Sequence, residues 1–183
     1  MKFRKIFTQN KTWVYSDPHF GHANICKFTD RDGNPMRPWD DVEEMDETMI
    51  RDFNDLVDPN DWVIFLGDLS MNYKGYERAI PRLVGKKILV KGNHDTFSHD
   101  TYKKHFRAVV PMIGLYGTCI MTHIPIHPGS IERYKKCLHG HTHNAFVRKE
   151  DGSIDERYIN CCVENTDFKP VLLNSLVQLQ ETT

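Results

Sequence analysis

Apolar residues along this chain gather into short runs separated by polar breaks, with one long amphipathic stretch among them. Lys11 to Ser16 and Lys87 to Val90 read as strands. Trp62 to Leu66 is a continuous apolar run, of the kind buried on both faces of a sheet. Asp41 to Val57 carries Val42, Met45, Met49, Ile50, Phe53, Leu56 and Val57 at helical spacing. Asp41 and Glu44 suit a capping box at its start, and Pro59 follows its end. A second helix is predicted from Gly75 to Leu83, with Pro81 distorting its last turn, and a short one from Thr101 to His105. Gly21 to Trp39 reads as a loop with room for one helical turn. Strands are expected at Ala108 to Ile113, Tyr116 to Met121, Lys136 to Leu138, Ala145 to Val147 and Tyr158 to Val163. Asn174 to Leu179 reads as a last short helix or strand.

The first half thus alternates strand and helix, and the second is mostly strand. Two packed sheets with helices outside would bury both kinds of strand, so the expected class is α/β. The length fits a single domain over residues 1–183, and 39% hydrophobic residues are enough for a real core. A formal net charge of −1 gives no whole-molecule attraction to nucleic acid or acidic membrane, so any basic partner surface must be local. No apolar run approaches ~18 residues, and no apolar signal core follows the basic N-terminus. No membrane association and a cytoplasmic location are therefore expected. Five cysteines without paired spacing argue against a disulfide framework. Cys119, Cys137 and Cys162 sit in apolar runs and read as small buried hydrophobes.

Five polar segments change this picture. Asp17-Pro18-His19, Gly67-Asp68, Gly92-Asn93-His94-Asp95, Thr122-His123 and Gly140-His141-Thr142-His143 each follow an apolar run. Together they offer oxygen ligands from Asp17, Asp68 and Asn93, and imidazoles from His19, His123, His141 and His143. That set, without sulfur, suits a two-metal hydrolytic site. Asp17 and His19, like His141 and His143, are two apart, so an extended backbone would send both to one side. Asp68 lies just past a buried strand, where a carboxylate is costly unless paired or bound to metal, and a bridging position would use both of its oxygens. His94 adjoins Asn93 and must point elsewhere, which makes it a candidate general acid, with Asp95 able to orient its imidazole. His139 falls on the opposite side of its alternation and reads as structural, and His99, His105 and His127 read as surface or structural.

The order and context of these segments resemble the calcineurin-like metallophosphoesterase family. The resemblance covers Asp17 to His143, and the stretch Asp17-Pro18-His19-Phe20-Gly21-His22-Ala23-Asn24-Ile25 is similar to a compact bacterial and phage branch. It implies two facing mixed sheets flanked by helices. It implies one metal on Asp17, His19, Asp68 and His143, and another on Asp68, Asn93, His123 and His141. Asp68 would bridge, and His94 would act on the leaving-group oxygen. With mixed nitrogen and oxygen ligands Mn²⁺ is the first choice, ahead of Fe, Zn or Ni. His22, Asn24 and Arg37 are candidate phosphate contacts, and the run Arg133-Tyr134-Lys135-Lys136 could border the site. The expected activity is metal-dependent hydrolysis of a phosphodiester or phosphomonoester, with a nucleotide or nucleic-acid end as the favoured substrate. A protein phosphatase is the rival within the same chemistry, and an inactive binding scaffold the rival outside it.

Overall fold

The computed structural model describes residues 3–30 and 32–179. Among these described residues, nine strands form two sheets. The first runs in the order β4 (Phe106–Val110), β3 (Lys86–Val90), β2 (Trp62–Phe65), β1 (Thr12–Tyr15), β9 (Val171–Leu172). Its first four strands are parallel and β9 is antiparallel to β1. The second runs β5 (Ile113–Leu115), β6 (Cys119–Met121), β7 (Lys136–His139), β8 (Tyr158–Asn160), with β5 antiparallel and the rest parallel. Two mixed sheets flanked by helices is the expected architecture.

The period of two along each strand separates two cores. Val14, Ile64, Leu66, Ile88 and Val90 point from the first sheet toward Ile113, Leu115, Cys119, Met121, Leu138 and Cys161 at the second. Trp13, Tyr15, Val63, Phe65 and Leu89 point the other way, onto α2 (Val42–Leu56) and α3 (Tyr73–Ala79). α2 contributes Met45, Met49, Ile50 and Phe53 to that core, so its apolar stripe is the one read from the sequence. Asp41 caps it by accepting from the N–H groups of Glu43 and Glu44 at 2.9 and 2.8 Å. On the outer face of the second sheet, Ile120, Cys137 and Tyr158 pack against Ile131 of α5 (Pro128–Ile131) and Tyr134.

Several boundaries differ from expectation. An N-terminal helix α1 (Phe3–Gln9), which basic residues disguise, inserts Phe7 between the sheets. The stretch Ala108 to Ile113 is not one strand: the chain leaves the first sheet at Val110 and enters the second at Ile113, with Pro111, which has no N–H to donate, at the crossing. Tyr116 to Thr118 is a turn, with the Thr118 N–H on Leu115 O at 2.9 Å, so β6 is only Cys119–Met121. Ala145 to Val147 is not a strand, and a bridge between Arg148 and Ile154 closes a small hairpin there instead. α3 starts at the Asn72 cap and tightens into a 3-10 turn at Ile80–Arg82, around Pro81. The helix expected from Thr101 starts earlier, as α4 (His99–Lys103), because Ser98 caps it. The last element among the described residues is a short helix, α6 (Leu173–Leu176). No helix among the described residues is long and apolar enough to cross a membrane.

Candidate metal centre

β1, β2, β3, β6 and β7 are parallel within their sheets, and each of the five polar segments leaves the carboxyl end of one of them. That edge is where open α/β sheets build sites. Backbone bonds then lace the loops together. The Asp17 N–H donates to Gly67 O at 3.1 Å, His19 N–H to Asp68 O at 3.1 Å and Phe20 N–H to Leu69 O at 3.0 Å. The His141 N–H reaches both oxygens of Asp17 at 3.0 Å. Gly140 lies against the Asp17 carboxylate and the Ser16 hydroxyl, where a Cβ would collide.

Asp17, His19 and His143 converge as one group of potential metal ligands, and Asp68, His123 and His141 as a second, with the donor atoms of each group within 4.8 Å of one another. Asp68 faces both. Its Oδ2 is 3.7 Å from His19 Nε2 and 3.4 Å from His123 Nε2. Asn93 joins the second group, its Oδ1 2.8 Å from His123 Nε2.

The local backbone is unusual at these residues. Asp17, His19, Asp68, His141 and His143 have φ of 57°, 51°, 52°, 69° and 49°, in the left-handed region that side chains other than glycine seldom adopt. Such conformations cost about 1–3 kcal/mol each and persist where surrounding contacts hold them, typically at functional sites.

Two observations fit the donor set to cations. Both ring nitrogens of His19 are buried without a hydrogen-bond partner, although an unpaired buried polar atom is destabilising. His123 Nδ1 lies 2.7 Å from Leu66 O, and a carbonyl only accepts, so Nδ1 donates and Nε2 is left facing the oxygens of Asn93 and Asp68. That crowd of acceptors needs a proton or a cation between its members.

The electrostatics agree. Burial lifts the Asp17 carboxyl to about 6 against the opposing charge of His123. Burial would also raise Asp68, but the hydrogen bond and charge of His123 outweigh it and hold the carboxyl low. Burial, with the nearby Arg37 charge, drives His19 down to about 3, keeping it neutral as a ligand must be.

The remaining expectations divide. His94 is exposed beside the centre, its ring 5.7 Å from that of His19, and its backbone N–H donates to Asp68 Oδ1 at 2.9 Å. Asp95 does not hold the His94 imidazole. Its carboxylate accepts from the N–H groups of Asp68, Leu69 and Gly92 at 2.9, 3.0 and 2.8 Å, tying two ligand loops together. His22 is half-buried, its ring 5.8 Å from His19, and Asn24 is exposed on the turn that follows. Arg37 is not at the mouth. It is 1% exposed, donates to Pro18 O and Asp17 O at 2.7 and 2.8 Å, and pairs with Glu164 at 2.8 Å. Arg133 to Lys135 precede β7 and Lys136 opens it, at its amino end opposite the ligands, where Arg133 O accepts from the Gly117 N–H. His139 is fully buried, as its alternation implied, with Nδ1 2.8 Å from Gly140 O.

Sequence reasoning missed the support behind His143. Glu164 Oε1 lies 3.0 Å from His143 Nδ1, a carboxylate–histidine pair of the kind that orients metal-binding imidazoles. Burial opposes ionisation of Glu164, but the His143 hydrogen bond and the Arg37 charge depress it to about 2. Asn160 and Asn165 accompany it, each donating its side-chain N–H to His143 O, at 2.6 and 2.7 Å. Cys162 is buried as expected, yet its thiol also donates to Asp17 Oδ2 at 3.4 Å. The available signal was position: Glu164 directly follows an apolar run, as the ligand segments do.

Comparison with known proteins follows the same lines. The chain is 33% identical over 179 residues to protein MJ1445 of Methanocaldococcus jannaschii, covering 95% of this chain and 93% of that one. It is 28% identical over 172 residues to the Gene 66 protein of Mycobacterium phage L5, covering 75% and 80%. The crystal structure of AQ665 from Aquifex aeolicus, a protein of unknown function, shares the fold with a TM-score of 0.65 at 22% identity, covering 91% of this chain and 97% of that one. The sequence profile of the calcineurin-like phosphoesterases matches residues 11–170, an interval that holds every residue of the two donor groups, and the chain belongs to that family.

Proposed function

We propose that this protein is a metal-dependent phosphoesterase that uses two divalent cations to hydrolyse a phosphodiester or phosphomonoester. The observation that carries the reading is Asp68, whose Oδ2 faces the histidines of both donor groups. Asp17, His19, Asp68 and His143 would hold one cation, and Asp68, Asn93, His123 and His141 the other. Two cations there, with Mn²⁺ first among Mn, Fe, Zn and Ni, would supply Lewis-acid charge for the phosphoryl oxygens and lower the pKa of a water.

The chain's own residues do the rest. His94 is exposed at the rim with its backbone anchored on Asp68 Oδ1, so its imidazole can reach a bound ester and give a proton to the departing oxygen. Asp95 holds the Asp68 and Gly92 loops in register. Glu164 keeps His143 Nδ1 protonated, leaving Nε2 free as a donor to metal. The complete set of donors favours an enzyme over an inactive scaffold.

The test is hydrolysis of a chromogenic phosphodiester by metal-stripped protein before and after Mn²⁺ is added, with bound metal measured in parallel. Activity that vanishes on chelation and returns with Mn²⁺ supports the proposal. Full activity in protein shown to be metal-free rejects it.

A further inference from the structure

The turn between His22 and Phe28 borders the metal centre and is held more firmly than a solvent loop requires. The two residues flank the 3-10 turn Ala23–Lys27, in which Ile25 N–H donates to His22 O at 3.1 Å and Phe28 N–H to Ile25 O at 3.3 Å. Ile25 and Cys26 are buried beneath it. Its entry is clamped through both backbone groups of one residue. The Gly21 N–H donates to the Asp46 carboxylate of α2 at 3.0 Å, and Gly21 O accepts from the Asn72 side chain at 3.0 Å. Arg78 of α3 pairs with Asp46 in turn. Gly21 has φ of +76°, and a Cβ there would lie 2.8 Å from Gly75 Cα, so a side chain is excluded on two counts.

This rigid turn presents two rings. Phe28 is 47% exposed and meets His22 edge to face, with centroids 5.7 Å apart. His22 meets His19 at 5.8 Å, again edge on. Two ring-to-ring steps, each under 6 Å, therefore lead from a metal-ligand candidate to an aromatic face left in water. A nucleoside phosphate likewise carries its base beyond its phosphate, with a sugar between them. An exposed phenyl ring on a backbone held in this way is also the kind of platform on which bases of any sequence stack.

We propose that the substrate is a nucleoside phosphate ester whose base stacks on Phe28 while its phosphate sits at the metal centre, an inference that rests on the phosphoesterase reading above. Asp46 and Asn72 act as positioning residues, since they fix the turn that carries both rings. The base contributes to binding and takes no part in bond cleavage, so its effect belongs in KM.

The decisive comparison uses two substrates with one leaving group: the p-nitrophenyl ester of thymidine 5′-monophosphate and p-nitrophenyl methyl phosphate, each with the Mn²⁺-loaded protein. The nucleoside ester is expected to have the lower KM at similar kcat. Phe28→Ala should collapse the KM ratio between the two esters by roughly 5- to 150-fold, and Phe28→Trp should restore it. Tyr116→Ala, an exposed aromatic on the opposite edge, should leave the ratio unaltered. Thymidine 5′-monophosphate should inhibit more strongly than methyl phosphate, and that preference should also disappear in Phe28→Ala. Equal KM values for the two esters, or equal losses on both in Phe28→Ala, overturn the base platform and leave the phosphoesterase intact. Failure to hydrolyse either ester overturns both.

Discussion

Asp17, His19 and His143 sit in front of a closed network, whereas in the other group His141 and Asn93 are exposed and only His123 is buried. Behind the first group, Arg37 ties the backbone of Asp17 and Pro18 to Glu164, and Glu164 holds His143. Behind the second, His123 is fixed by one backbone carbonyl, and none of the described residues hydrogen-bonds the His141 imidazole. A ligand held rigidly loses less entropy on binding, so the first position should bind its cation more tightly and the second should exchange more readily. The difference suits a hydrolase in which one position stays occupied while the other faces substrate.

Asp68→Asn should have the largest effect, because it removes the one charge both groups share. Loss of at least one metal and near-complete loss of turnover are expected, read by metal analysis and steady-state assay. A variant with two metals and a normal rate would show that Asp68 does not join the two positions.

His94→Asn separates chemistry from metal binding. Both metals and the fold should persist, while kcat on alkyl esters falls by roughly 10²–10⁴-fold. The loss should shrink for a nitrophenyl ester of the same phosphate, whose leaving group departs without a proton. An equal loss on both esters would favour a role in binding phosphoryl oxygens, and metal loss would make His94 part of the ligand set.

Glu164→Gln tests the asymmetry itself. It should weaken the tighter of the two Mn²⁺ affinities by roughly 10- to 100-fold and leave the weaker one nearly unchanged, as titration calorimetry would resolve. An equal change in both affinities would mean the halves are not independently supported.

The same substitution makes a pH prediction for metal-free protein. The folded Glu164 carboxyl lies at about 2, below its ordinary value of about 4.5. Its ionised form therefore stabilises the fold above pH ~4.5, and that contribution is lost as pH falls toward 2. Wild type should be more stable than Glu164→Gln at pH 7, by about 1–3 kcal/mol, and the gap should narrow below pH ~4.5. A gap that is independent of pH in denaturant melts would contradict the assigned pairing.

The contrast between the two halves also marks what could be read in advance. Strands such as Trp62–Phe65 and the helix Val42–Leu56 announce themselves because burial imposes a local period on the sequence. The converging Asp and His residues were legible for a related reason: each stands directly after such a strand. The support network was not, because Arg37 and Glu164 are 127 residues apart and their pairing has no local signature. Arg37 looked like a surface phosphate binder only because an arginine beside Pro and Trp carries no mark of burial. Asp95 likewise was assigned by adjacency to His94, while the loop crossing brought three backbone N–H groups to it instead. The strand expected over Ala108 to Ile113 failed because hydrophobicity continues through a change of sheet.

Anomalous diffraction from crystals grown with Mn²⁺ tests the two-metal centre most directly. Two peaks are predicted, one among Asp17, His19 and His143 and one among Asn93, His123 and His141, both within bonding distance of the Asp68 carboxylate. A single peak, or two peaks that do not share Asp68, would contradict it.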